Sequence, residues 1–168
     1  MALVNSFPPV AGNLATRLVL GSIPGRASLD AQQYYAHPRN AFWPIMSAIL
    51  NFSPQLPYAE RCRELTRSGV ALWDVLGECQ RPGSLDAAVM TDSIVPNDFA
   101  QFFEEHSRIS VVYCNGVLAE KTYLRRVKPL LAEPFVALPV IRLPSTSPAH
   151  AALSFEQKLA QWRRVGEG

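Results

Sequence analysis

Apolar residues fall in four short, near-continuous runs, Leu18 to Leu20, Val70 to Leu76, Ile109 to Cys114 and Val136 to Leu143. Runs of this length that do not alternate with polar residues suit strands covered on both faces, as in a parallel sheet. The stretches between them repeat at helical spacing instead. Phe42, Met46, Ile49 and Leu50 share one face of a helix that Asn40 can cap, with Pro44 tolerated in its first turn. A second helix is expected over 58–68, with Cys62 and Leu65 inward and Gly69 as its stop. Asn97 or Asp98 caps a third, which carries Phe99, Phe102 and Phe103. A fourth is expected from Val117 to Leu131, with Leu124, Val127 and Leu131 on one stripe. Ser154-Phe155-Glu156-Gln157 has the capping-box form and opens a last helix with Phe155, Leu159 and Trp162 at i, i+4 and i+7. Strands alternating with helices predict an α/β fold, a three-layer α/β/α sandwich around a four-stranded parallel sheet, as a single domain over 1–168.

Composition narrows the function classes only a little. A formal charge of +2 does not by itself indicate a polyanionic partner, so nucleic-acid contact requires a local gathering of residues such as Arg26, Arg39, Arg81 and Arg142. The three cysteines, Cys62, Cys79 and Cys114, are odd in number and scattered, which reads as small buried apolar residues and not as a metal site. No stretch approaches the roughly 18 uninterrupted apolar residues of a membrane span, and no basic-then-apolar leader opens the chain. A soluble cytoplasmic protein that contacts no membrane is expected.

In an open parallel sheet, ligands bind beyond the carboxyl ends of the strands. That rule selects the loops after the four apolar runs: 21–40, 73–83, Asn115-Gly116 and 144–148. Gly21 and Gly25 bracket Ser22-Ile23-Pro24 in a turn where backbone can approach a ligand closely. Neither a G-x-x-x-x-G-K phosphate loop nor a G-x-G-x-x-G fingerprint is present. Tyr34 and Tyr35 each fit two roles, stacking on a planar base or plugging the core edge. His37 fits a hydrogen-bonding or a structural role. Asn40 carries both a carbonyl and an amide, so it can read a base edge, hold a water or cap the helix. Pro144-Ser145-Thr146-Ser147-Pro148 is rigid and rich in short hydroxyl donors, as suits a segment lying along a phosphate backbone, or an ordinary Ser/Pro turn.

Taken together, Gly21-Ser22-Ile23-Pro24-Gly25, Tyr34-Tyr35-Ala36-His37-Pro38-Arg39-Asn40-Ala41-Phe42-Trp43 and Leu143-Pro144-Ser145-Thr146-Ser147-Pro148-Ala149 resemble the uracil-DNA glycosylase superfamily, most closely its hypoxanthine-DNA (deoxyinosine) glycosylase branch. The match is collinear over roughly residues 17 to 162. The resemblance implies a DNA-binding cleft at the strand ends and an enzyme, acting as a monomer, that flips a deaminated base from the duplex and hydrolyses its bond to the sugar. It implies no metal for the chemistry, and three scattered cysteines argue against the four-cysteine iron–sulfur cluster that several branches carry, so no cofactor is expected. Its catalytic residues are expected at Asn40, His37 and Ser22, its base-binding residues at Ile23, Gly25, Tyr34, Tyr35, Asp74 and Asn115, and its DNA contacts at Pro144, Ser145, Thr146 and Ser147.

One departure stands out. Uracil-removing and mismatch-specific branches place Asp or Asn just before the first proline to position the attacking water, whereas Ile23 can neither accept a proton nor orient water. Ordinary uracil excision is disfavoured; the hypoxanthine branch shares this pattern, and the resemblance implies that the Asn of the His-Pro-x-Asn segment, Asn40, carries the chemistry. The alternatives are uracil, xanthine or mismatch excision on the same fold, a non-catalytic module that binds damaged bases, and a small-nucleoside hydrolase.

Overall fold

The structure, a computed structural model, describes residues 3–167. Four parallel strands form the central sheet: β2 (Arg17–Gly21), β3 (Val70–Asp74), β6 (Val111–Asn115) and β7 (Val140–Leu143), in the spatial order β3-β2-β6-β7. All five positions of β2 and of β3 are buried, which explains why their sequences do not alternate. Aromatic contacts sort the helices into two layers. In one, Phe42 and Trp43 of α2 (Phe42–Leu50) meet Trp162 of α6 (Phe155–Trp162) and Tyr58 of α3 (Tyr58–Arg67). In the other, Phe99 of α4 (Phe99–Glu105) meets Trp73 and Tyr123, the latter just past α5 (Val117–Thr122).

The caps expected at Asp98, Ser154 and Gly69 are present, whereas α2 has Ala41 as its N-cap, with Asn40 one residue earlier accepting from the Phe42 amide. Asp98 accepts from the Gln101 amide, Ser154 and Gln157 form the reciprocal box, and Gly69 ends α3 at φ +81°. A buried cation pins the lower edge of the sheet. Arg17 donates to the Val165 carbonyl at 2.9 Å and to that of Ser68, tying β2 to the ends of the chain's last and third helices.

Four expectations are corrected. The run from Val70 to Leu76 is two strands. After Asp74 the chain passes the end of β2, and β4 (Leu76–Gln80) joins an unforeseen antiparallel sheet between β1 (Leu3–Asn5) and β5 (Val95–Pro96). Val75 and Leu76 are as buried as their neighbours, so apolarity could not mark the break. The run from Val136 to Leu143 is a strand only from Val140, after a 3₁₀ turn over Phe135–Ala137. The helix expected over 117–131 is α-helical only to Thr122 and then opens into a π turn over Tyr123–Val127. The wider turn rotates Leu124 outward, to 40% exposure, while Val127 and Leu131 stay buried. Finally, the first long loop contains a short helix, α1 (Arg26–Ala31). Among the described residues no helix is long and apolar enough to cross a membrane.

Candidate active site

The parallel strands end at Gly21, Asp74, Asn115 and Leu143, with Gly21 in register with Asp74 and Asn115 with Leu143. The chain steps from β2 to β3 on one side and reaches β6 on the other, so the connections diverge at Gly21. That is where an open α/β sheet forms its crevice.

Two segments more than a hundred residues apart are joined there. The Ala41 amide donates to the Thr146 carbonyl at 3.0 Å. Asn115 holds the same loop from below, donating through Nδ2 to Thr146 Oγ1 and accepting from the Thr146 amide through Oδ1, both at 3.0 Å. Trp162 Nε1 donates to the Pro144 carbonyl at 2.9 Å, and Lys158 Nζ to that of Ser147 at 3.3 Å. Ser145 Oγ accepts from the Ser147 amide at 3.2 Å, folding the loop's tip on itself.

Beside this junction lies a groove of about 370 Å³ lined by Arg39, Asn40, Pro44, Pro148, His150 and Lys158, among others. Asn40 enters it with one half already committed. Its Oδ1 accepts from the Phe42 amide at 2.9 Å, starting α2, so the Nδ2 amide is the half left for a ligand. His37 braces the same turn: its carbonyl accepts from the Asn40 amide and its Nδ1 from the Arg39 amide, which assigns the ring proton of neutral imidazole to Nε2.

The second part of the site is closed. A β-carbon placed on Gly21 would fall 2.5 Å from Asp74 Oδ1 and 2.6 Å from the Tyr35 hydroxyl, so both polar groups crowd the end of β2 and only glycine fits there. Asp74 is 3% exposed, and neither its Oδ2 nor the Tyr35 hydroxyl has a hydrogen-bond partner among the described residues. Tyr35 is held by stacking on Phe42, with ring centroids 4.2 Å apart, and at φ +55°, a left-handed conformation rare for an aromatic residue. Two unsatisfied buried polar groups facing one glycine are costly unless a ligand completes them.

Burial, reinforced by the charge of Asp86, pushes the Asp74 carboxyl up to about 8, so it is largely a neutral acid at pH 7. The folded value lies above the unfolded one of about 3.9. The stability gained by keeping Asp74 protonated is therefore fully present below about pH 4 and lost as pH rises through about 8. Denaturant midpoints of the wild type should decline between pH 5 and 9, and Asp74→Asn should flatten that decline; parallel curves would show Asp74 to be ionised throughout.

The structure separates residues that the sequence grouped. Tyr34 is drawn into the core, its hydroxyl donating to the Phe7 and Pro8 carbonyls at 3.2 and 2.9 Å, so its ring has no face left for a base. Asn115 has both amide ends committed to Thr146, and Thr146 is itself 1% exposed, which makes the pair a clamp beneath the loop. Gly25 has an ordinary extended φ of −76° and precedes α1, and Ile23 is buried. The four arginines do not gather. Arg81 is 2% exposed, Arg142 pairs with Glu120 at 3.6 Å, and Arg26 and Arg39 are exposed.

The loop selected from the sequence ends at Gly83 and includes Arg81, but sequence reasoning missed Ser84 and Asp86 just beyond it. Arg81 donates to the Pro24 and Gly83 carbonyls at 2.8 and 2.9 Å, Ser84 Oγ accepts from the Arg26 amide at 3.0 Å, and Asp86 Oδ1 accepts from Ser22 Oγ at 2.8 Å. Arg81-Pro82-Gly83 is a turn signal inside the selected loop, and nothing in Ser84-Leu85-Asp86 itself marks a return to the 22–26 turn.

The family model for the uracil DNA glycosylase superfamily matches residues 9–165. A Methanosarcina acetivorans protein named hypoxanthine DNA glycosylase is 30% identical over 160 residues, covering 95% of each chain. A Methanosarcina barkeri protein of the same name is 34% identical over 111 residues, covering 66% of this chain and 69% of that one. A Methanosarcina acetivorans structure solved by solution NMR, titled as a uracil DNA glycosylase target of structural genomics, superposes with a TM-score of 0.79 at 26% identity, covering 98% of this chain and 99% of that one.

Proposed function

Because the chain belongs to the uracil DNA glycosylase superfamily, we propose that it is a monofunctional DNA glycosylase that removes hypoxanthine from deoxyinosine in DNA. It acts as a single chain in the cytoplasm, on duplexes carrying a deaminated base that must leave the stack to be reached. The observation that supports this reading most directly is the junction of Ala41 with Thr146, which sets Asn40 in a groove at the strand ends beside the Pro-Ser loop.

The C1′–N9 bond breaks dissociatively, its electron pair leaving with the base and an oxocarbenium-like sugar remaining. A water oxygen then bonds to C1′, and the departing base recovers a proton. Asn40 Nδ2 donates to the base as negative charge builds on it, an interaction stronger in the transition state than in the ground state. Tyr35 supplies the stacking face, worth roughly 1–3 kcal/mol per base. A neutral Asp74 accepts from hypoxanthine N1–H and donates to O6, and adds no charge beside a base that is itself becoming an anion. Backbone at Pro144, Ser145 and Ser147 lies along the DNA strand.

The test is direct. Purified protein is incubated with end-labelled duplexes carrying inosine, uracil, xanthine or only normal bases, and abasic sites are opened with alkali. Breaks at inosine alone are expected. Breaks mainly at uracil or xanthine would reassign the substrate, and binding without breaks would make the chain a damaged-base-binding module.

A further inference from the structure

We propose that Asp86 is a catalytic residue, the carboxylate that handles the attacking water in place of the acid or amide missing at Ile23. The proposal rests on the glycosylase reading above and assigns a role which that reading leaves empty.

Three observations support it. First, the only hydrogen-bonding side chain of the Ser22-Ile23-Pro24 turn, that of Ser22, donates to Asp86 Oδ1 at 2.8 Å, so a carboxylate from a different loop is tied to the residue next to Ile23. Second, its position is fixed. Arg81 holds the Pro24 carbonyl and Ser84 accepts from Arg26, so the 81–86 segment is fastened to the 22–26 turn at two further points beyond Ser22. Third, the other carboxyl at the strand ends is unsuited to the task. Asp74 is buried and largely protonated at neutral pH, so it has little capacity to accept a proton from water. Asp86, by contrast, is exposed, so solvent reaches it.

In this role the electron pair of the C1′–N9 bond leaves with the base. The water oxygen bonds to C1′, and the water's released proton passes to the Asp86 carboxylate, which returns it to the departing base or to solvent. Water supplies every atom added, so no further reactant is needed.

The charged and titratable groups close enough to couple electrostatically to Asp86 are Arg81, Asp74, Tyr35 and Cys79. Desolvation raises its carboxyl from the ordinary value, while the Ser22 hydrogen bond and Arg81 oppose the shift. Because the residue is exposed, solvent screens it and the desolvation is partial. The excision rate should therefore fall on the acid side as this carboxylate is protonated.

The experiment measures single-turnover release from a deoxyinosine duplex between pH 4.5 and 9 for wild type, Asp86→Asn and Asp86→Glu. Affinity for a duplex with a stable abasic-site analogue is measured alongside by fluorescence anisotropy. Asp86→Asn should lose at least about tenfold in rate and lose the acidic limb, with affinity equal or tighter, and Asp86→Glu should restore part of the rate. A rate for Asp86→Asn within about threefold of wild type, an unchanged acidic limb, or a loss matched by weaker binding in both variants overturns the role. A wild type that releases no base from any duplex overturns the glycosylase reading, and this role with it; a wild type that excises inosine while Asp86→Asn excises it equally well overturns this role alone.

Discussion

Asn40→Ala should slow single-turnover release of hypoxanthine by about 10²- to 10³-fold, the loss expected for one donor aimed at developing charge and equivalent to roughly 3–4 kcal/mol. The substitution also removes the Oδ1 that starts α2, at a cost of about 1 kcal/mol of stability. The two effects are separable because Asn40 divides its functional groups between them. Asn40→Asp keeps an acceptor for the Phe42 amide and replaces the donor with a carboxylate facing an incipient anion. It should melt near the wild-type temperature and be at least as inactive as the alanine variant. If Asn40→Ala retained a near-normal rate, or if Asn40→Asp were active while folded, the groove would not hold the reacting base.

The second large effect is on stability. Trp162 is fully buried, meets Phe42 edge-on with centroids 6.0 Å apart, and gives its indole N–H to the Pro144 carbonyl. Trp162→Ala removes the ring and orphans that carbonyl, for a loss of about 3–5 kcal/mol, or roughly 10 °C or more in Tm for a domain of this size. Trp162→Phe keeps most of the ring and drops the hydrogen bond, at about 1–3 kcal/mol. Equilibrium denaturation of both variants separates packing from the polar contact. An alanine variant within about 1 kcal/mol of wild type would mean that α6 is not fixed to the Pro-Ser loop.

Much of the fold was legible because its signals are local or binary. Buried parallel strands announce themselves as unbroken apolar runs, and the caps at Asp98 and Ser154 and the stop at Gly69 are single-residue chemistry. What the sequence concealed was set by tertiary geometry. The change of sheet between Asp74 and Leu76 occurs among residues of equal hydrophobicity, and the rotation of Leu124 comes from a backbone widening that no side chain encodes. In the site, motif order identified the loops but not which way each residue faces. Adjacent tyrosines look equivalent on paper, yet Tyr34 turns to the carbonyls of Phe7 and Pro8 while Tyr35 turns to Asp74. Asn115 reads equally well as a ligand contact until its two amide ends are found on Thr146.

The crowding at the end of β2 also bears on how freely this enzyme can be re-engineered. With less than a methyl group's clearance at Gly21, that position offers no latitude to a designer, because any larger residue must displace Asp74, Tyr35 or both. Changes of base preference are better sought at 35 and 74, the positions proposed to seat the base. A library confined to those two sites should yield altered specificities on an intact scaffold, whereas one that includes 21 would spend most of its members on proteins whose seat cannot form.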